Sequence, residues 1–251
     1  MYPFLLEIGS FRLPTFGLMV ALGFLVALWV LQKELPRRGF DEELGSSIIT
    51  AGMVGGLVGA KLYFVLFEMP GATWSETFSA LFSGSGLTWY GGFVVAAVSI
   101  YWILKSRGVP FLPVADACGM ALAVGYGIGR IGCQLAGDGD YGVPSDLPWA
   151  MAYPNGVVPT LERVHPAPVY ETLLGLLIFA VLWRLRVRWQ ATPGRLFSLY
   201  LVLAGAARFG VEIIRLNPHV LWGLSAAQLI SLAMIAGGLG LAVRLREENP
   251  A

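Results

Sequence analysis

The chain has little charge. Asp, Glu, Lys and Arg make up only 13% of its 251 residues, against 56% hydrophobic ones, a balance far from that of a soluble domain. A formal net charge of +1 leaves no basic surface for nucleic acid, and no nucleic-acid partner is expected. Cysteine is equally scarce. Cys118 and Cys133 lie in apolar segments without metal-ligand spacing, which argues against a disulfide framework and a zinc site. Neither a metal nor a cofactor is expected. The opening MYPFLLEIGSF has no basic start and no small-residue cleavage site, so the first apolar segment is expected to stay in the mature chain. Internal repeats are absent too, which argues against a transporter built from paired halves.

Long apolar runs are what the chain does have. About seven approach the roughly 20 residues that a spanning helix needs, at residues 15–32, 46–67, 88–104, 112–134, 167–183, 196–214 and 224–243. The expected fold is an all-α integral membrane protein of about seven transmembrane helices, a single transmembrane domain over residues 1–251. The fourth run is rich enough in glycine to break or re-enter. Residues 135–166, with Pro144, Pro148, Pro154 and Pro159, are too long for a simple connector and read as a small head outside the membrane.

Basic residues set the orientation. Lys33, Arg37, Arg38, Lys105, Arg107, Arg184, Arg186, Arg188, Arg195, Arg244 and Arg246 fall on one side, whereas residues 69–87 have no Lys or Arg and the 135–166 loop has only Arg163. The positive-inside rule then places the N-terminus outside and the C-terminus in the cytoplasm. The head and both ends of the 70–86 linker face the outer side.

An ionised side chain within the bilayer costs at least roughly 2.5–3.5 kcal/mol, so each one is a functional candidate. The candidates are Lys61, Asp116, Arg130, Glu171, Arg208, Glu212 and Arg215. In ARFGVEIIR, Arg208 and Glu212 are four apart and Arg215 three further on, all on one helix face. They form either an ion pair between helices or part of a site. The glycine-flanked Arg130 favours the site, because two guanidiniums facing an outer-leaflet cavity suit the oxygens of a phosphate.

Arg130 belongs to GYGIGRIGCQLAGDGDYG, which brings Asp138 and Asp140 within ten residues of it. The glycines here either let helices approach or expose backbone near a lipid headgroup. In GMVGGLVGA, the pairs Gly52 with Gly56 and Gly55 with Gly59 read as helix packing. Glu171 needs a partner, a membrane arginine or Lys61. It closes HPAPVYE, whose His165 and Tyr170 are either interfacial anchors or site residues. In GLTWYGG, Trp89 and Tyr90 belong to the aromatic belt or, with Gly91 and Gly92, to a bend near the cavity. Cys133 beside Arg130 is either an inert small residue or a nucleophile that carries lipid.

The segments FRLPTFGLMVALGF, GGLVGAKLYFVLFE, GLTWYGGF, VADACGMALAVGYGIGRIG, HPAPVYETLLG, ARFGVEIIR and LSAAQLISLAMIAGG resemble, in order and spacing, the prolipoprotein diacylglyceryl transferases. The resemblance implies seven transmembrane helices with a periplasmic head in a bacterial inner membrane. It implies a reaction in which the diacylglyceryl group of phosphatidylglycerol moves to the lipobox cysteine thiol of a prolipoprotein signal peptide. The leaving group is glycerol phosphate, so the chemistry needs phosphate neutralisation and a base. Arg130 matches the arginine of the family signature. Arg208, Glu212 and Arg215 match the penultimate-helix motif, and His165, Tyr170 and Glu171 match theirs.

Four positions depart from the family pattern. Phe16 and Ala204 stand where tyrosines are usual, Tyr90 where a histidine is usual, and Cys133 where an asparagine is usual. Two readings follow. In the first, Arg130 and Arg208 hold the phosphate, Asp138 or Asp140 helps deprotonate the acceptor, with Tyr90 and His165 as weaker candidates, and Glu212 orients Arg208. Arg215, His165, Tyr170, Glu171, Lys61, Cys133, Gly91 and Gly92 then contribute to substrate binding. In the second, the chain is a non-catalytic phospholipid-binding protein that keeps the headgroup pocket.

Overall fold

The computed structural model describes residues 1–9, 11–69, 71, 73–82 and 88–248. Eight α-helices carry most of the described chain: α1 Thr15–Arg37, α2 Glu43–Tyr63, α3 Trp74–Phe82, α4 Trp89–Ser106, α5 Phe111–Ala136, α6 Ala167–Leu185, α7 Arg195–Glu212 and α8 Ala226–Glu248. The described residues also hold three antiparallel hairpins: β1 Phe4–Ile8 with β2 Phe11–Pro14 before α1, β3 Met151–Tyr153 with β4 Thr160–Val164 between α5 and α6, and β5 His219–Leu221 with β6 Leu224–Ser225 between α7 and α8. Among the described residues, five helical stretches are long and apolar enough to cross a membrane: Thr15–Arg37, Glu43–Glu68, Phe111–Ala136, Ala167–Leu185 and Ala226–Glu247. The other two expected segments are helical as well. The apolar part of α4 is shorter, and α7 carries Arg195, Arg208 and Glu212.

Each of the seven apolar runs corresponds to a helix whose ends fall within a few residues of the pattern. The glycine-rich fourth run is one unbroken 26-residue helix, α5, because its glycines are used by neighbours and not by a turn. In the 70–86 linker the structure has α3, which no apolar period announced; residues 70, 72 and 83–86 of that linker lie outside the described residues. The hairpins are also additions, since strands of 2–5 residues are too short to leave a periodic signal.

The chain divides into two compact units, Met1–Leu31 with Leu112–Ala251, and Gln32–Phe111. In the first, α5 is more enclosed than α1, α6 or α8, buried over 56% of its apolar stretch against 17–28% for theirs. Three helices press on its glycines. A Cβ on Gly23 of α1 would lie 3.1 Å from the Gly125 carbonyl, one on Gly175 of α6 would lie 3.1 Å from Gly127 Cα, and Gly119 faces the Tyr200 ring of α7. Asp116 of α5 is fully buried and accepts from the Gly194 and Phe197 amides at 3.0 and 2.8 Å. It caps the start of α7, where the helix dipole favours a carboxylate. That charge serves the fold.

The head between α5 and α6 is built on β3 and β4. Arg163 of β4 donates to the carbonyls of Leu147, Pro148 and Ala150 at 3.1–3.2 Å, which closes the loop over the buried Tyr153. In the second unit α2 packs along α4. Gly55 and Gly59 lie against Ala96, Val95 and Gly91, and Gly92 approaches the Gly56 carbonyl. The GxxxG stretch is therefore a packing seam, as its spacing predicts, and Gly91 and Gly92 supply the facing half. Lys61, near the end of α2, donates to the Ala80 carbonyl of α3 at 2.8 Å.

A side chain at Gly59 has no room, because its Cβ would sit 2.6 Å from Val95 Cβ, whereas a Cβ at Gly56 meets open space. Gly59→Ala is expected to lower stability by roughly 1–3 kcal/mol, the usual cost of overpacking, and Gly56→Ala to leave it unchanged. Thermal unfolding of the purified protein in detergent reads both.

Candidate active site

Charges collect where α5, α6 and α7 end beside the head. Arg130 lies six residues before the end of α5, Glu171 in the second turn of α6, and Arg208 and Glu212 in the last turns of α7. Arg215 follows on the same face, at the i+3 position from Glu212. Asp140 comes from the loop after α5, and backbone pairing fixes its place. Gly142 N donates to the His165 carbonyl at 2.9 Å and Val143 N to the Ile214 carbonyl at 2.8 Å, threading the loop between the start of α6 and the end of α7. A Cβ on Gly142 would lie 2.6 Å from Ile214 O, so only glycine allows that approach.

Three guanidiniums and three carboxylates alternate in one network. Glu171 is its hub, with a side chain only 2% exposed. Its Oε2 lies 3.2 Å from Arg130 Nε and 3.6 Å from Arg215 Nη1, and its Oε1 lies 3.6 Å from Arg208 Nη1. Glu212 Oε2 pairs with Arg208 Nη1 at 2.6 Å and with Arg215 Nε at 3.7 Å. Asp140 bridges the remaining pair, bound to Arg130 through Oδ2 and to Arg215 Nη2 through Oδ1 at 2.5 Å. Lys61, the alternative partner for Glu171, is instead tied to α3, and the membrane arginines supply the pairing.

The network is neutral, as a buried cluster must be, yet it keeps capacity for a ligand. Arg208 Nη1 and Arg215 Nε are buried and touch carboxylates only as ion pairs, without a well-aligned hydrogen bond. Asp140 is the most accessible member, with its side chain 31% exposed and glycines of positive φ at 137 and 139. Burial pushes its carboxyl up, but the Arg130 and Arg215 guanidiniums outweigh that and hold it below the usual aspartate range.

Several residues invisible as candidates in the sequence complete the site. Glu212 Oε1 accepts from Ser225 Oγ at 2.6 Å and Asn217 Nδ2 at 2.8 Å, which come from β6 and the connection before β5. A cavity of about 400 Å³ opens beside them, lined among others by Glu212, Arg215, Asn217, His219 and Gln228. Tyr126, one turn before Arg130, donates to Glu171 Oε1 at 2.5 Å. Its position four residues from Arg130 in GYGIGR was the available signal. His165 and Tyr170 meet each other, Nδ1 to hydroxyl at 3.2 Å, and Trp149 Nε1 donates to the same hydroxyl at 2.7 Å.

Cys133 is buried, with its Sγ 3.7 Å from Arg130 Nη1. Donor atoms of Cys133, Asp138 and Asp140 lie within 4.8 Å of one another, a set that could hold a cation, but two guanidiniums already occupy Asp140. Phe16 packs on Gly132, two residues past Arg130. Lys61, Tyr90, Gly91 and Gly92 belong to the second unit, and the charge network lies wholly within the first.

Known proteins match this chain over nearly its full length. The family model described as prolipoprotein diacylglyceryl transferase matches residues 3–244. The chain belongs to this family. Its relatives include proteins named phosphatidylglycerol–prolipoprotein diacylglyceryl transferase from Clostridium tetani, 33% identical over 95% of this chain and 96% of the relative. A second from Finegoldia magna is 31% identical over 93% and 91%, and a third from Vibrio vulnificus is 33% identical over 95% and 89%. With its apolar helices, the family member described here is a multi-pass membrane protein.

Because Asp140 ionises more readily in the folded chain, its charge stabilises the fold above the ordinary aspartate value and that contribution is lost as pH falls through the lowered one. Asp140→Asn is expected to melt at a lower temperature than the parent at neutral pH, with the gap closing below about pH 4. A gap that stays constant across a series of melts from pH 7 to 3 would contradict this sign.

Proposed function

We propose that the chain transfers the diacylglyceryl group of phosphatidylglycerol to the thiol of a prolipoprotein lipobox cysteine. The observation that carries this reading is the convergence of Arg130, Arg208 and Arg215 on one partly open site whose most accessible anion is Asp140. Asp140 sits where a phosphate oxygen would bridge the same two guanidiniums.

On this reading the phosphate displaces Asp140 from Arg130 and Arg215, with Arg208 as a third donor oriented by Glu212. Freed from the guanidiniums, Asp140 is left with burial as the dominant influence, which raises its affinity for a proton. It, or Asp138 two residues away, takes the thiol proton. The sulfur attacks the glyceryl carbon that bears the phosphate, a C–S bond forms, and the C–O electron pair leaves with glycerol phosphate, whose charge the arginines stabilise. His165 and Tyr170 at the head, and Lys61, Tyr90, Gly91, Gly92 and Cys133, are proposed to contribute to substrate binding. Tyr90 is a weaker candidate for the base.

The membrane arrangement belongs to the same proposal: seven spans, the N-terminus and the 135–166 head on the periplasmic side, and the C-terminus in the cytoplasm of a bacterial inner membrane. The distribution of Lys and Arg supports that orientation.

Purified protein incubated with phosphatidylglycerol and a lipobox peptide is expected to release glycerol phosphate and add a diacylglyceryl mass to the peptide cysteine. Arg130→Ala and Arg208→Ala are each expected to cut turnover at least about 100-fold; intact turnover in either would sink the assignment. Glycerol phosphate without modified peptide would mean another acceptor. Saturable phosphatidylglycerol binding with neither product would favour a lipid-binding protein.

A further inference from the structure

We propose that Tyr126 is a positioning residue for this reaction, holding the Glu171 oxygen that would otherwise close on Arg208, so that the phosphate meets an Arg208 paired with one carboxylate and not two. The inference rests on the function proposed above, but it comes from contacts that the catalytic scheme does not use.

Tyr126 lies one turn before Arg130 on α5 and reaches both charges beside it. Its ring lies under the Arg130 guanidinium, 5.0 Å from ring centre to guanidinium carbon, and its hydroxyl donates to Glu171 Oε1 at 2.5 Å. The two oxygens of Glu171 are thus divided. Oε2 faces Arg130 and Arg215, at 3.2 and 3.6 Å. Oε1 takes the tyrosine hydroxyl and stays 3.6 Å from Arg208 Nη1, beyond a hydrogen bond.

That separation matters because Arg208 Nη1 is buried and already meets one carboxylate, Glu212 Oε2 at 2.6 Å. A short O–H donation to a carboxylate is among the stronger neutral-to-charged bonds, and it fixes the carboxylate's rotation. Without the hydroxyl, Oε1 has an open acceptor position facing the same guanidinium. The two would close into a tighter pair, and the phosphate would have to break it. On α7 the position one turn before Arg208 is Ala204, which has no hydroxyl to offer.

Tyr126→Phe removes the hydroxyl and keeps the ring. With the full chain in lipid nanodiscs, phosphatidylglycerol is titrated at saturating lipobox peptide, and its binding is measured separately without peptide. The expected result is a KM and a Kd for phosphatidylglycerol both raised about tenfold, the scale of one hydrogen bond to a charged group, with kcat changed less than about threefold. Unchanged KM and Kd, or a loss confined to kcat, would overturn the proposal. Tyr126→Leu separates ring from hydroxyl: if Leu weakens binding and Phe does not, ring stacking on Arg130 is what counts and the proposal fails. Should the parent bind phosphatidylglycerol but turn nothing over, the transferase reading falls, and a Kd raised by Tyr126→Phe would still support the positioning of Arg208.

Discussion

Glu171 is a carboxylate with almost no access to water, and the functional half of the molecule is arranged around the need to satisfy it. A buried anion is tolerable only with opposite charge and hydrogen-bond donors at close range. Here three guanidiniums, on α5, on α7 and just past the end of α7, and one phenol meet that need. Those guanidiniums bring charge of their own, which Asp140 and Glu212 balance. The result is a neutral cluster whose members are difficult to remove singly and whose most accessible anion sits on a loop.

Such a cluster forms only if helices come close enough for side chains to meet. The glycines of α5 permit this. Gly119, Gly125 and Gly127 leave no side chain between α5 and the helices α7, α1 and α6, and the approach to α6 sets Arg130 within reach of Glu171. Close backbone contact also contributes dispersion attraction, which counts among helices whose outer faces meet lipid. At the far end of the same helix Asp116 holds the start of α7, while the end of α7 is linked to α5 through Glu171 of α6, which both Arg130 and Arg208 approach. Glycine and charge thus act together, one allowing the approach and the other fixing it.

The substituted positions become easier to understand in this setting. Cys133 lies within 3.7 Å of Arg130 and packs as a buried small residue, and Phe16 fills the space over Gly132. Phe16 offers the guanidiniums no acceptor, and Cys133 is a weak, distant acceptor beside Asp140, which binds the same Arg130 nitrogen directly. A chain that departs from its family at these places nonetheless keeps a complete set of paired arginines, which is the part of the site that a phosphate requires.

By itself the sequence determined the helices and the type of chemistry. Runs of about twenty apolar residues have few alternatives to a helix when no water is available to the backbone, and charges within them are costly enough to mark a site. Local helix geometry placed Arg208 and Glu212 on one face, whereas α7 ends at Glu212 and Arg215 reaches the same cluster from a bridge to Gly142 just beyond it. The requirement of Glu171 for a cation was legible too, but not which cation. Only the tertiary structure decided that it takes Arg130, Arg208 and Arg215 and that Lys61 serves α3. It also decided that Asp140 bridges two arginines, that Ser225 and Asn217 hold Glu212, and that Tyr126 occupies one Glu171 oxygen. These pairings join residues up to 75 positions apart. They depend on how closely packed helices approach and on a loop threaded between two of them, and no period along the chain encodes that.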